Sequence, residues 1–306
     1  MITPTLCIYH HTCSDGYGAA WAVWKRFGNA VKYHPGVHGE PPPDVTGEHV
    51  VIVDFSYPET VIMEMAKVAA SVLILDHHAS AQRDLAGLPP ARTNWTDHVE
   101  EALRYRHGGA ADRLGALFDM DHSGARLAWD FFHPGEQIPL LVLHVEDRDL
   151  WRFSLPGTRE IQSWLFSHDY DFQVWDGLAL QLEDPDTYAL AIAEGTALDR
   201  KHLKDVKELV RETQRRMVIG GYMVPVANLP HTMASDGAGM MADSYTFAAA
   251  YFDRADCRVF SLRSPRGGIG VDVGALAKEV GARLGFSGGG HKHAAGFRAP
   301  LGWEGE

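Results

Sequence analysis

Acidic and histidine side chains recur directly after short apolar segments of the chain. These residues are His10, His11, Asp15, Asp54, Asp76, His77, His78 and Asp147. Carboxylate oxygens mixed with imidazole nitrogens favour Mn²⁺, Mg²⁺ or Fe²⁺ over a metal that prefers thiolates. Two such cations about 3.5 to 4 Å apart can share one carboxylate and activate a water against a phosphate ester. A single aspartate after a strand is most often a helix cap, so the prediction of a metal site rests on the clustering of the set.

The elements that must position these residues begin with apolar runs at 6–9, 50–53 and 72–75, each followed by polar residues and a helix-like stretch. This alternation predicts an α/β fold with buried parallel strands. The carboxyl ends of parallel strands meet at one edge of the sheet, where functional residues of such folds gather. We expect a further apolar run, 138–145, to deliver Asp147 to a strand end in the same way.

The chain is long enough for two domains, each with a core of its own. Between Asp184 and Met217, helical periodicity, many charges and the absence of proline after Pro185 predict a long connecting helix. We expect an N-terminal domain over 1–183, a helical connector over 184–217 and a smaller α/β domain over 218–306. In this last domain, strands are predicted at 222–227, 246–252 and 257–262, and a helix at 273–284.

A glycine-rich segment near the C-terminus is the second candidate for chemistry. Three consecutive glycines at 288–290 allow backbone N–H groups to approach a phosphate or a base, and His291 and Lys292 add donors. Arg263 could make a bidentate contact with a phosphate. The alternative is a glycine-rich turn that only precedes a final strand.

These motifs together resemble a known family. Asp15-Gly16, Asp54, Asp76-His77-His78 and Asp147 occur in this order and are closed by Gly-Gly-Gly-His-x-x-Ala-Ala-Gly at 288–296. This arrangement is similar to that of DHH phosphoesterases that carry the DHH-associated C-terminal domain. The family includes RecJ-type exonucleases, nano-RNases, phosphatases of 3′-phosphoadenosine 5′-phosphate and cyclic dinucleotide phosphodiesterases. The resemblance implies a parallel-sheet N-terminal domain, a smaller α/β C-terminal domain and an active site in the cleft between them.

The resemblance also implies a metal-ligand set. One metal would be bound by the histidine of the first motif, His11, and Asp54 would bridge it to a second metal. The second metal would also be bound by Asp15, His77 and Asp147. The expected cofactor is Mn²⁺, with two ions and with Mg²⁺ or another divalent ion as alternatives.

Further roles follow from the same resemblance. Asp76, His77 and His78 would form the catalytic motif, in which His78 faces the substrate and Asp76 orients the histidines, as carboxylates commonly do behind metal-bound imidazole. The residues that would hold the nucleotide from the C-terminal domain are Arg263, Gly289, Gly290 and His291.

The first motif departs from the family pattern at Cys13. The family usually has two aspartates separated by one residue there, and Cys13 stands in place of the first. The cysteine could bind a softer metal, leave the site to His10, His11 and water, or weaken one of the two metal sites. Whether His10 or His11 is the ligand stays open.

The net charge and composition of the chain restrict its binding partners. The formal net charge of −12 would repel a long polyanion, so we expect no stable binding to duplex DNA. Three separated cysteines do not make a disulfide framework, and the N-terminal residues show neither a signal-peptide pattern nor a membrane span. A cytoplasmic protein without a membrane partner is expected, and the sequence does not predict its oligomeric state.

The function predicted from these features is hydrolysis of phosphate esters in short oligonucleotides or small phosphorylated nucleotides. Two alternatives remain. A nucleotide-binding sensor with little or no catalysis is favoured by Cys13 alone, and an inorganic pyrophosphatase would share the metal motif but not the Gly-Gly-Gly-His segment.

Overall fold

The computed structural model describes residues 2–11, 13–105, 108–266 and 270–306. The chain divides into two compact units, Met1–Leu198 and Asp199–Glu306. The division lies inside the segment 184–217, which the sequence predicts as a connector. Each unit has its own sheet and its own hydrophobic core.

The first unit is a parallel sheet with helices on both faces. Its strands are β1 Leu6–His10, β2 Lys32–Gly36, β3 His49–Val53, β4 Ser71–Asp76 and β5 Leu114–Phe118. Its helices are α1 Ser14–Phe27, α2 Glu59–Val68, α3 Ala79–Asp84, α4 Trp95–Arg104, α5 Gly124–Phe132, α6 Leu140–Asp149, α7 Thr158–Leu165 and α8 Phe172–Glu183, and α9 Pro185–Thr213 continues into the second unit. The strand order is β2-β1-β3-β4-β5, and every neighbouring pair is parallel. The predicted α/β fold is therefore confirmed.

Both faces of the central strands are buried, which explains their continuous apolar sequences. Val51 and Leu73 belong to the core on one face of the sheet, together with residues of α1 and α5. Ile52 and Ile74 belong to the core on the other face, together with residues of α2. Successive residues of a strand point to opposite faces, so each strand supplies both cores.

The strand order creates a switch point between β1 and β3. From β1 the chain crosses to β2 on one side and then returns past β1 to β3 on the other. The two connections therefore lie on opposite sides of the crevice at the carboxyl ends of β1 and β3. Ligands of open α/β sheets bind in such a crevice.

The apolar run 138–145 is helical rather than extended, contrary to the prediction. It belongs to α6, whose residues Leu141, Val142 and Val145 are buried. A short apolar run that is buried on most sides has the same appearance in a helix as in a strand, so hydrophobic periodicity cannot distinguish them.

The second unit is a mixed sheet that carries α11 on one face. Its elements are β6 Arg215–Ile219, β7 Tyr222–Asn228, α10 His231–Ala242, β8 Ala248–Asp253, β9 Arg258–Arg263, α11 Val273–Arg283, β10 Gly288–His291 and β11 Ala294–Ala299. The strand order is β10-β11-β9-β8-β7-β6, in which β7 and β8 are parallel and the other neighbours antiparallel. Buried residues of α10 and of the last part of α9 pack together with Ala227, Ala248 and Ala250 of the sheet.

Across the part of the chain that the structure describes, no helix combines the length and the apolar character needed to cross a membrane.

Candidate metal centre

Asp54 lies at the centre of the crevice, directly after β3. Its side chain is buried, and its backbone adopts a φ of +53°, a left-handed conformation that is uncommon for residues other than glycine. The first residue of α5, Gly124, lies against it so closely that a Cβ there would be 2.3 Å from the Asp54 Cβ. The fold thus holds Asp54 in a strained conformation, which is a feature of functional sites.

Three carboxylates from three different elements surround the His77 ring. The His77 Nε2 atom lies 3.0 Å from Oδ1 of Asp54 and 3.4 Å from Oδ2 of Asp15. It also lies 3.6 Å from Oδ2 of Asp149, at the end of α6. All four side chains are largely or fully buried, so this is a compact polar cluster beneath the surface of the first unit.

A second group of ligand atoms also contains Asp54. The His10 Nδ1 atom is 3.4 Å from Oδ2 of Asp54, and the His78 Nδ1 atom is 4.0 Å from Oδ1. The two groups, Asp15-Asp54-His77 and His10-Asp54-His78, each bring their ligand atoms within 4.8 Å of one another. They share Asp54, which has the position of a bridging carboxylate.

The donors fit a divalent cation. Within the described residues, neither oxygen of Asp54 accepts a hydrogen bond from an amide or a hydroxyl group, and the same is true of Oδ2 of Asp149. Buried carboxylates without such donors are costly, and their mutual repulsion adds to the cost. A metal ion would offset both. Oxygen and imidazole donors in this mixture suit a hard or intermediate divalent metal.

Burial alone would raise the pKa of Asp54, but its contacts with His10 and His77 lower it well below its usual value. The pKa values of three neighbouring residues of the cluster are raised instead. Burial, followed by the charges of Asp54 and Asp149, raises the pKa of Asp15 well above its usual value. Burial also raises the pKa of Asp149. Burial alone would lower the pKa of His77, but its contact with Asp54 and the charges of the surrounding carboxylates raise it. Each of these three increases is what excess negative charge in a buried site produces.

Asp15 is held by the N-terminus of α5. Its Oδ2 atom accepts a hydrogen bond of 2.6 Å from the Gly124 amide, and its Oδ1 atom accepts one of 2.9 Å from the Ala125 amide. Helix N-termini stabilise carboxylates through free N–H groups and the helix dipole. The direction of the Asp15 carboxylate is therefore determined by α5.

Asp76 has bonding partners of its own next to the cluster. It accepts hydrogen bonds from the Ser56 hydroxyl at 2.6 Å and from the His77 amide at 2.8 Å, and it lies 2.7 Å from Nδ1 of His78. Burial alone would raise the pKa of Asp76, but His78 and these hydrogen bonds lower it to about 2. The geometry agrees with a residue that orients the two histidines.

The structure brings Asp149, and not the predicted Asp147, to the cluster. Asp147 accepts hydrogen bonds from the Ser154 amide and hydroxyl, from the Leu155 amide and from the Thr158 hydroxyl, at 2.6 to 3.0 Å. Two residues apart on a helix correspond to a rotation of about 200°, so the two aspartates point in different directions. The signal that sequence reasoning missed is the helical state of this segment.

The first motif also differs from the expected ligand set. His10 contacts Asp54, whereas the side chain of the predicted ligand His11 is exposed and belongs to neither group of ligand atoms. Cys13 precedes α1 and is half-buried. Burial, and then the charges of Asp54 and Asp149, raise the pKa of its thiol well above the usual value. Among the described residues, neither group of ligand atoms includes Cys13.

The predicted substrate-binding residues of the second unit lie at one end of its sheet. Ala294 pairs with His291 on one side and with Arg263 on the other, so the three side chains project from the same face. The Arg263 guanidinium donates a hydrogen bond of 2.6 Å to the Ser235 hydroxyl.

The predicted anion loop is a strand, β10, followed by a two-residue turn. Gly290 has a φ of +138°, and a Cβ there would lie 2.7 Å from the Ala294 carbonyl oxygen. Gly289 pairs with Gly296, which in turn pairs with Ser261. The row Gly289–Gly296–Ser261 lies on the same face as the row His291–Ala294–Arg263 and next to it, so it gives this face a floor of small residues.

The comparisons with known proteins are as follows. No protein-family model matches the sequence. The sequence is 25% identical over 313 residues to an uncharacterized protein of Acanthamoeba polyphaga mimivirus. The match covers 95% of this chain, which spans only 66% of the length of that relative.

Solved structures are similar over most of the chain. One is the DHH domain of a member of a ribosomal-protein family, with a TM-score of 0.51, 13% identity, and coverage of 96% of this chain and 82% of that one. Another is RecJ of Thermus thermophilus in complex with Mn²⁺, with a TM-score of 0.47, 14% identity, and coverage of 97% and 49%. The first likeness identifies the fold: the chain has the fold of DHH-domain proteins.

Proposed function

We propose that the chain is a metal-dependent phosphoesterase that hydrolyses phosphate esters of short oligonucleotides or small nucleotides. The observation that carries the proposal is the sharing of Asp54 by two groups of ligand atoms at the switch point of a DHH-type fold. Such a site, with two cations bound, would supply a metal-activated water and neutralise charge on the phosphoryl group.

The roles of the chain's own residues follow from their contacts. Asp54 would bind both metals, His10 would be a further ligand of the first metal, and Asp15 and His77 would be further ligands of the second. We propose Mn²⁺ as the cofactor because the donors mix carboxylate oxygen with imidazole nitrogen. Asp149 would be a further ligand, since its free oxygen faces His77.

Asp76, His77 and His78 are proposed as the catalytic motif. Asp76 would not touch the substrate, because Ser56 and the His77 and His78 groups already occupy its oxygens. It would keep the His78 ring in one orientation. His78 is half-exposed and would present its imidazole to the substrate.

The second unit would bind the nucleotide. The floor of Gly289 and Gly296 allows close approach of a flat base or a phosphate, while Arg263 and His291 project from the same face and offer donors. Gly290 lies in β10 between Gly289 and His291, where its positive φ and its close approach to the Ala294 carbonyl favour glycine.

The test is hydrolysis of a panel in the presence of Mn²⁺: single-stranded RNA and DNA from dinucleotides to long strands, 3′-phosphoadenosine 5′-phosphate, cyclic dinucleotides and pyrophosphate. Turnover of short oligonucleotides or a small nucleotide is expected, together with its loss in Asp54→Ala. The control Asp44→Ala replaces an aspartate that lies in an exposed turn with Thr46 and should keep full activity. Turnover that survives in Asp54→Ala, or silence of folded, Mn²⁺-loaded wild-type protein on the whole panel, would contradict the proposal.

A further inference from the structure

The first of the two proposed metals has fewer protein ligands than the second. Asp54 and His10 would bind it, whereas Asp15, His77 and Asp149 would join Asp54 at the second metal. Catalytic metal sites commonly have about three protein ligands and complete their coordination with water or substrate. The first site therefore lacks a protein ligand.

The sequence position that would supply this ligand carries the wrong chemistry. Cys13 stands where the resemblance to DHH phosphoesterases places an aspartate, and among the described residues it belongs to neither group of ligand atoms. A thiol is also a poor ligand for a hard divalent cation. The missing ligand has to come from another part of the first unit.

A third histidine lies beside His10. The centre of the His38 ring is 5.4 Å from that of His10 and 4.5 Å from that of Phe55, the residue after Asp54. The Phe55 ring is in turn 5.9 Å from the His10 ring. The three rings thus pack together at the carboxyl ends of β1 and β3, next to the proposed first metal.

The end of β2 and the turn that follows it place His38 there. Gly36, the last residue of β2, lies so close to Phe55 that a Cβ on it would be 3.0 Å from the Phe55 ring. Residues 37–40 then form a turn, in which the last amide donates a hydrogen bond of 3.0 Å to the first carbonyl. Gly39 has a φ of +86°, which suits the third position of a type II turn. This turn reverses the chain directly after β2 and carries His38 at its second position.

The side chain of His38 is exposed, so its ring can rotate. Its nitrogens are outside the compact group formed by His10, Asp54 and His78. A change of rotamer would turn one of them toward a cation bound by His10 and Asp54. Imidazole is the commonest side-chain ligand of metals in proteins.

We propose that His38 is a third ligand of the first metal and takes the place of the aspartate that Cys13 replaces. The inference rests on the proposed function, because it completes the same metal centre. Two imidazoles and one carboxylate would then bind this metal. Nitrogen ligands favour Mn²⁺ and later first-row metals over Mg²⁺, so the first site should select against Mg²⁺.

The experiment measures Mn²⁺ binding by isothermal titration calorimetry, which needs no turnover. Wild type should bind two ions per chain. His38→Ala should weaken one site about tenfold or more and leave the other unchanged, since changes even in residues behind metal ligands have effects of this size. His38→Phe should do the same, because it keeps an aromatic ring against Phe55 but has no nitrogen.

A second substitution at Cys13 tests the replacement itself. Cys13→Asp in the His38→Ala background should restore binding of the second Mn²⁺ ion. The restored site should bind Mg²⁺ better, relative to Mn²⁺, than the wild-type site does, because an oxygen ligand has replaced a nitrogen.

His34 is the matched control. It lies in β2, four residues before His38, and belongs to no group of ligand atoms within the described residues. His34→Ala should bind both ions as wild type does.

The outcomes separate the two proposals. Unchanged Mn²⁺ binding in folded His38→Ala or His38→Phe, loss of both ions in either variant, or an equal loss in His34→Ala would each overturn the role of His38. A single ion in wild type, or no gain from Cys13→Asp, would overturn it too. A protein that hydrolyses nothing in the panel but loses one of two ions in the His38 variants would refute the phosphoesterase and keep His38 as a ligand.

Discussion

At the scale of single residues, the metal centre depends on one close approach between Asp54 and Gly124. In Gly124→Ala, the new Cβ would lie 2.3 Å from the Asp54 Cβ and 2.7 Å from its Oδ1 atom. Asp54 must then move, and so must the α5 amides that hold Asp15. We expect Mn²⁺ affinity to fall at least about tenfold and the free energy of unfolding to fall by about 1 to 3 kcal/mol. Metal titration and urea unfolding measure the two effects.

Gly177 in α8 is the matched control for this substitution. A Cβ at Gly177 would meet no atom within 4 Å. Gly177→Ala should leave Mn²⁺ binding unchanged and raise the free energy of unfolding by up to about 1 kcal/mol, because alanine loses less backbone entropy in a helix. If Gly124→Ala and Gly177→Ala behave alike, the close approach has no functional role.

Sequence reasoning works best for single residues that directly follow a strand. Asp54 and His77 come together because the carboxyl ends of parallel strands meet at one edge, which is predictable from the apolar runs. The choice between His10 and His11 was not predictable. Neighbouring residues point in different directions, and only the structure shows that His10 faces Asp54.

At the scale of elements, α6 carries two aspartates with different roles: Asp147 accepts structural hydrogen bonds, and Asp149 faces the metal-ligand cluster. Asp149→Asn removes one of the mutually repelling buried carboxylates, so Mn²⁺ affinity should fall about tenfold or more while the metal-free protein keeps or gains stability. Asp147→Asn weakens the hydrogen bonds that hold residues 154–158, so the free energy of unfolding should fall by about 2 kcal/mol or more.

Mn²⁺ titration and urea unfolding of both variants make the comparison. A loss of metal affinity in Asp147→Asn at unchanged stability, with normal metal binding in Asp149→Asn, would restore the ligand set predicted from the sequence.

A histidine in α4 makes the first unit sensitive to acid. Burial, followed by the charge of Arg92, lowers the pKa of His98 from 6.5 to about 4. The unfolded chain takes up this proton first as the pH falls, so stability that is present above pH 6.5 is lost between pH 6.5 and about 4. Between pH 7 and 5 the loss should be about 2 kcal/mol. Urea unfolding of wild type and His98→Gln at both pH values isolates the loss of stability that is due to His98. An equal loss in both proteins would contradict the assignment of this loss to His98.

The elements that sequence reasoning misread are those whose state depends on packing. β10 contains three glycines and has no strand signal, yet Gly288 lies so close to α11 that a Cβ there would be 2.0 Å from the Ala277 carbonyl oxygen. Close packing against a helix, rather than strand propensity, accounts for glycine at this position. The run 138–145 shows the opposite error: it was predicted as a strand but belongs to a helix, because burial of α6 hides its helical periodicity.

At the scale of the whole molecule, charge predicts a preference for short substrates. The net charge of −12 opposes the approach of a polyanion, and the opposition increases with the number of phosphates. We expect kcat/KM to fall as oligonucleotides lengthen beyond a few residues. Salt screens charge over about 10 Å at 0.1 M, so the penalty for length should shrink as ionic strength rises. Undiminished turnover of long single strands at low salt would contradict this.

The fold of the molecule was more predictable than its site. Alternating apolar runs and helical stretches are sufficient to predict a parallel α/β unit, and a DHH domain is similar to the chain over 96% of its length. The mixed sheet of the second unit was only partly predicted. Its strands β6 and β10 gain stability from neighbouring strands and from α11, which are distant in the sequence.

The most direct test of the central claim is the rate of dinucleotide hydrolysis as a function of Mn²⁺ concentration in wild type and Asp54→Asn. Asparagine keeps the size of the side chain but removes the charge that two metals would share. The account predicts saturable, Mn²⁺-dependent hydrolysis by wild type and a loss of at least about a thousandfold in folded Asp54→Asn. Hydrolysis that is independent of Mn²⁺, or that persists at the wild-type rate in Asp54→Asn, would contradict it.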